Sequence, residues 1–115
     1  MPALNFKTAF FDFDKAVLRS DGKKALKPTA DWLKKNPNVS VQIEGYCDEL
    51  GSQQYNLILG AKRAEAAKAF LVSQGVKPES IMTISYGRVE GESEEVRAQN
   101  RRAGIVVIFP RQPGE

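Results

Sequence analysis

Histidine is absent from the 115-residue sequence, and cysteine and tryptophan occur once each. Without an imidazole the chain has no ordinary near-neutral base, metal-ligating ring nitrogen or pH switch. A single thiol, Cys47, excludes an internal disulfide and any zinc site built from clustered cysteines. No run approaches the ~18 apolar residues of a membrane span. The opening MPALNFKTAF lacks the basic and then apolar segments of a secretory signal. Charge of one sign is scarce as well. The 17 basic and 14 acidic residues are interspersed and leave +3, which gives little support for nucleic acid as a partner. What remains is 42% hydrophobic and 27% charged, in keeping with one domain that buries a real core.

No repeat or low-complexity block is visible, so residues 1–115 read as a single domain with its core over 6–109 and a tail at 110–115. A first strand is expected over residues 8–13, bulky with Phe10, Phe11 and Phe13 and closed by Asp12 and Asp14. Leu26, Ala30 and Leu33 at i, i+4 and i+7 predict the buried face of a helix. Pro28 should open a second turn of it or leave a kink, and Asn36-Pro37 should stop it. Residues 39–44 alternate cleanly, with Val39, Val41 and Ile43 on one face, and predict a half-buried strand. Residues 45–54 read as a polar loop. A long helix follows to about Gln74, capped by Gly75 with Pro78 beyond. A third strand, 81–86, alternates Met82, Ile84 and Tyr86 with Thr83 and Ser85. Residues 92–99 are a short helix or loop. The nearly apolar 103–109 is expected as a central strand covered on both faces. The order β-α-β-α-β-(α)-β predicts an α/β (α+β) two-layer sandwich with helices packed on a mixed four-stranded sheet.

The most informative stretch runs from Gly45 to Ala67. Asp48 follows a strand end, in a loop held by Gly45 and Gly51, where ligands are commonly met in open α/β sheets. On the helix beyond, Leu59, Arg63, Ala66 and Phe70 form one stripe. A guanidinium inside an apolar stripe costs desolvation unless an anion or carbonyl meets it. Asp48 is the obvious internal partner. Three readings stay open on these residues alone: a structural Asp48–Arg63 pair, an arginine that snorkels to solvent, or two anchors for a ligand.

Three segments together resemble a known family. They are Phe11-Asp12-Phe13-Asp14-Lys15 with Leu18, then Gly45-Tyr46-Cys47-Asp48-Glu49-Leu50-Gly51 followed by Tyr55-Asn56, Leu59-Gly60 and Arg63-Ala64, and last Ser85-Tyr86-Gly87 with Asn100-Arg101-Arg102. In this order and spacing the chain is similar to the OmpA-like peptidoglycan-binding domain family, and within it to the peptidoglycan-associated lipoprotein branch. The resemblance covers about residues 6–109. It implies non-catalytic binding of peptidoglycan through the diaminopimelate of its stem peptide, with no cofactor and no metal. Asp48 would take the ligand's ammonium and Arg63 its carboxylate, with Phe13, Asp14 and Leu59 completing the pocket and Asn56 nearby. It further implies a periplasmic, outer-membrane-associated setting, a possible Tol-system protein partner, and contact with the membrane only through an anchor outside these residues. The chain is then expected to be a soluble piece of a longer precursor. Arg63→Ala is expected to abolish binding and leave the fold intact.

The logic of such a site is independent of the family. An amino-acid head group is a zwitterion, so its receptor needs one anion and one fork-shaped cation, and guanidinium can grip a carboxylate through two parallel bonds. An enzymatic alternative rests on Asp12 and Asp14. Two carboxylates one residue apart after a strand suit Mg²⁺-assisted phosphoryl transfer of the haloacid-dehalogenase type. Position 16 is Ala, however, where that loop wants Thr or Val, and no later Asp-Asp pair is present. The bland reading of both aspartates is turn formation. Cys47 has no histidine to activate it and reads as a shielded thiol beside the loop. Arg101 and Arg102 could bind phosphate, but pairing with Glu94, Glu95 or Asp48 is the favoured expectation. Lys23, Lys24, Lys34, Lys35 and Lys62 read as a solvated face, and Trp32 and Phe70 as core.

Overall fold

A computed structural model describes residues 6–108. The elements are β1 (Ala9–Phe10), α1 (Ser20–Lys35), β2 (Ser40–Cys47), α2 (Gln53–Ser73), a 3₁₀ turn at Pro78–Ser80, β3 (Ile81–Arg88), α3 (Glu94–Asn100) and β4 (Arg102–Ile108). The strands form one sheet in the order β1-β4-β2-β3. β2 and β3 run parallel, joined through α2, while β4 is antiparallel to both β2 and β1. Parallel neighbours require such a crossover connection, and α2 packs directly on the two strands it joins. The mixed two-layer sandwich is the architecture expected. The tail at 110–115 and Phe109 lie outside the described residues.

Helix α1 runs unbroken through Pro28, with Leu26, Ala30 and Leu33 buried as the spacing predicts. Asp21 in its first turn and Lys34 and Lys35 in its last turn suit the helix dipole. Asn36 ends it, its Nδ2 donating to the Trp32 carbonyl at 2.8 Å. Helix α2 opens on Ser52, whose hydroxyl oxygen accepts the Tyr55 N–H at 3.0 Å. It closes before Gly75, whose φ of +104° is the left-handed turn that glycine permits. Its buried side is Asn56, Leu59, Gly60, Arg63, Ala64, Ala67 and Leu71. The stripe expected through Ala66 and Phe70 is therefore rotated. Small Ala64 and Ala67 face the sheet, and Ala66 and Phe70 flank the core with Trp32 as partly buried neighbours.

Three strand readings need correction. β1 is two residues long rather than six, because the chain turns at Phe13 and Asp14 once Phe11 has given its N–H to the Arg101 carbonyl at 2.8 Å. β2 extends through Gly45, Tyr46 and Cys47, which are strand and not loop, since β3 pairs with all three and β4 with Gly45 and Tyr46. β4 occupies the central position expected, but only its Ala103 side is covered. Val106 is 46% exposed, and the far face of the sheet carries Phe10, Met82, Ile84, Tyr86 and Val106 with no layer of the described residues over it. On that open face Tyr46 stacks on Tyr86 at 5.3 Å, and the Arg102 guanidinium lies 4.0 Å from the Tyr46 ring centre.

Candidate functional site

The six residues singled out from sequence, Phe13, Asp14, Asp48, Asn56, Leu59 and Arg63, all line one cleft of about 460 Å³. Its walls are the turn after β1, the end of β2 with the loop beyond it, and the first three turns of α2. Leu59 lies at its buried base and Phe13 stands exposed at its rim. Asn56, Leu59 and Arg63 fall at i, i+3 and i+7 of α2, one helical face.

Arg63 is the largest fully buried side chain, 1% exposed. Its Nε donates to the Lys15 carbonyl at 2.8 Å, Nη1 to that of Tyr46 at 3.0 Å and Nη2 to that of Asp12 at 3.1 Å. The guanidinium also lies 5.4 Å from the Phe11 ring centre. No carboxylate of the described residues comes within salt-bridge distance of it. Burial presses its pKa downward, opposed in part by the nearby carboxylates of Asp48 and Asp14. The guanidinium nevertheless remains a cation, as arginine does in proteins. Backbone carbonyls thus supply its solvation, which answers the desolvation problem in a way the spacing did not reveal.

Asp48 does not pair with Arg63. Its Oδ1 accepts the Leu50 N–H at 3.0 Å, and its Oδ2 accepts Nη1 of Arg101 at 3.3 Å. Asp48 is only 4% exposed, so this is a buried ion pair. The expected Asp48–Arg63 bridge gives way because each residue has a partner from another segment. The expectation that the Asn100-Arg101-Arg102 cluster meets Glu94 or Asp48 holds for Arg101, which takes both.

The remaining residues shape the loop. Asn56 Nδ2 donates to the Leu50 carbonyl at 2.7 Å and to that of Ser52 at 3.0 Å, so both its N–H groups are committed to the turn. The Cys47 thiol donates to the Asn56 carbonyl at 3.2 Å, and burial pushes its pKa above the ordinary value. Outside the cleft, Arg97 bonds to Glu49 at 2.9 Å, and Arg88 Nη1 donates to the Gly51 carbonyl at 3.2 Å. Asp14 adopts a φ of 57°, rare for a residue with a side chain, and accepts a hydrogen bond from the Tyr55 hydroxyl. Tyr55 lines the cleft but was not singled out as a site residue. Its place on α2, four residues before Leu59 and eight before Arg63, was the available signal.

Asp12 and Asp14 do not form an acid pair. The Asp12 carboxylate is held by Arg19 at 3.1 Å, outside the cleft lining, while only its carbonyl turns to Arg63. Among the described residues no three His, Cys, Asp or Glu side chains group as a metal site would require. The arrangement lends the phosphatase alternative no support.

A single-layered mixed sheet with a charged cleft at the β2–α2 turn defines the class. The chain belongs to the OmpA family, whose model matches residues 10–104. It is similar to the peptidoglycan-associated lipoproteins of Agrobacterium fabrum, 42% identical over 102 residues, and of Brucella melitensis, 41% identical over 102 residues. In both cases 85% of this chain is aligned, and it spans 58% and 61% of those relatives' length. The crystal structure of the peptidoglycan-associated lipoprotein from Burkholderia pseudomallei superposes with a TM-score of 0.84 at 36% identity, covering 88% of this chain and 89% of that one. The C-terminal domain of Helicobacter pylori MotB shares the fold at 22% identity, with a TM-score of 0.82 over 91% of this chain and 86% of that one.

Proposed function

We propose that this domain binds peptidoglycan without catalysis and anchors an envelope component to the cell wall. In this reading Asp48 receives the ammonium and Arg63 the carboxylate of a diaminopimelate residue in the stem peptide. The observation that carries it is Arg63: a buried cation on a cleft wall, held by three carbonyls and lacking a carboxylate partner among the described residues. A guanidinium has five N–H donors. Three are taken, which leaves one on each terminal nitrogen for a ligand carboxylate. Asp48 supplies the opposite charge, and each of its oxygens carries one donor and can accept another. Charge-assisted hydrogen bonds contribute about 1.5–3 kcal/mol each, so two anchors suffice for moderate affinity.

The names of the similar lipoproteins support peptidoglycan as the ligand class, and with it a periplasmic setting associated with the outer membrane. No helix of the described residues is long and apolar enough to cross a bilayer. The test is sedimentation of the wild type, Asp48→Asn and Arg63→Lys with purified sacculi, with free diaminopimelate as competitor. The wild type should pellet and be released by the competitor, and both variants should stay in solution. A folded wild type that never pellets overturns the reading.

A further inference from the structure

Arg101 stands behind the cleft rather than on its wall, yet it holds one of the two charges there. It follows α3 directly and is 8% exposed. Its Nε donates to the Phe11 carbonyl at 3.1 Å, Nη1 to Asp48 Oδ2 at 3.3 Å and Nη2 to Glu94 Oε1 at 3.2 Å. One guanidinium therefore ties the end of β1, the cleft carboxylate and the first turn of α3. The two Asp48 oxygens are held by donors on different segments, Leu50 N–H on one and Arg101 on the other. Rotating the carboxylate about its terminal bond breaks both contacts at once. With Arg101 removed, a single donor remains, and the carboxylate can turn toward Arg63, the other cation of the same cleft.

We propose that Arg101 is a positioning residue: it holds Asp48 Oδ2 away from Arg63, so that the cleft presents two separate charges rather than one closed pair. The inference rests on the reading above, in which Asp48 receives an ammonium. Arg101 touches no ligand in this scheme and acts through Asp48 alone. Glu94 takes the third corner of the guanidinium from a largely exposed position, 70% accessible at the side chain. Its share is accordingly weak.

Action through a single partner predicts non-additivity, which a merely structural arginine does not. Free diaminopimelate serves as the probe in NMR titrations of the whole chain, which reach millimolar dissociation constants. Five proteins are compared: wild type, Arg101→Gln, Arg101→Lys, Asp48→Asn, and Asp48→Asn with Arg101→Gln. Arg101→Gln should weaken binding on the order of tenfold in the wild-type background and less than about twofold once Asp48 is already Asn, a coupling typical of residues in one hydrogen-bond network. Arg101→Lys, which keeps a point charge near Asp48, should recover part of the loss. Should Arg101→Gln fail to fold, Arg101→Lys carries the same cycle. Equal losses in both backgrounds overturn the positioning role and leave the peptidoglycan reading intact. A folded wild type that ignores diaminopimelate overturns both, and the two failures are told apart by the wild type alone.

Discussion

Gly45 of β2 and Gly60 of α2 meet backbone to backbone: a Cβ on Gly45 would lie 1.8 Å from the Gly60 carbonyl oxygen. This approach sets the height of α2 above the sheet one turn before Arg63, and so sets where the guanidinium can reach the Tyr46 carbonyl.

Gly45→Ala should therefore destabilise the domain by about 3 kcal/mol, the upper end for overpacking, because backbone and not a flexible side chain must move. Gly60→Ala meets Ser85 Oγ first, at 2.3 Å, and the Gly45 carbonyl oxygen at 3.1 Å. Adding Ser85→Ala should restore much of the stability lost in Gly60→Ala and none of that lost in Gly45→Ala. Urea denaturation of the four variants checks this.

Arg63 carries structure as well as the proposed binding. Arg63→Ala strips a donor from three carbonyls on two segments, the Asp12–Lys15 turn and the end of β2. The Asp12 carbonyl keeps the Lys15 N–H, but losing the buried donor to the others and its packing costs on the order of 3 kcal/mol. For a domain of this size that is a fall in Tm of about 12 °C or more. The expectation that Arg63→Ala spares the fold is thus revised to a weakened fold, and calorimetry against Asp48→Asn, which should lose less, measures the difference.

Pro28 sits inside α1 at an exposed position, where it removes one helical hydrogen bond. Pro28→Ala should stabilise by about 2 kcal/mol, the propensity gain less the entropy returned to the unfolded chain. A Tm unchanged or lowered would mean that the proline shapes the packing of Thr29 and Ala30 instead.

Alkaline pH should weaken the fold through Cys47. Its thiol, raised by burial, keeps its proton in the folded chain beyond the ordinary value of about 9. Once the pH passes the unfolded thiol's pKa, the folded state binds more protons than the unfolded one. Stability is then full below that point and falls as the pH climbs toward the folded value. Tyr46, also raised mainly by burial, acts with the same sign. Unfolding midpoints followed from about pH 8 to about pH 10.5 should decline, and Cys47→Ala should flatten the decline.

The helices were legible because their stops are local: Asn36-Pro37 ends α1, and Gly75 ends α2 whatever packs around them. The strands were less so. Gly45-Tyr46-Cys47 has loop chemistry, and only pairing with β3, joined by β4 at Gly45 and Tyr46, makes it strand. On β3 the apolar Met82, Ile84 and Tyr86 face outward, because the inner side needs Thr83, Ser85 and Gly87 to let α2 approach. The six cleft residues were legible through their shared turn and helix face. Their partners were not, since Arg63 is met by carbonyls of Asp12, Lys15 and Tyr46, 17 to 51 positions away. Any residue type can present a carbonyl, so no sequence pattern announces it.

In the proposed binding role, the carbonyl cradle around Arg63 would also bear on how quickly the cleft fills. A receptor whose acid and base were bonded to each other would have to part them before each encounter, and association would wait on that step. Here the cation leans on fixed backbone dipoles and the anion on a different arginine, so both stand ready between encounters. In that role, occupancy would not wait on an internal ion pair opening, the advantage that preorganised sites hold.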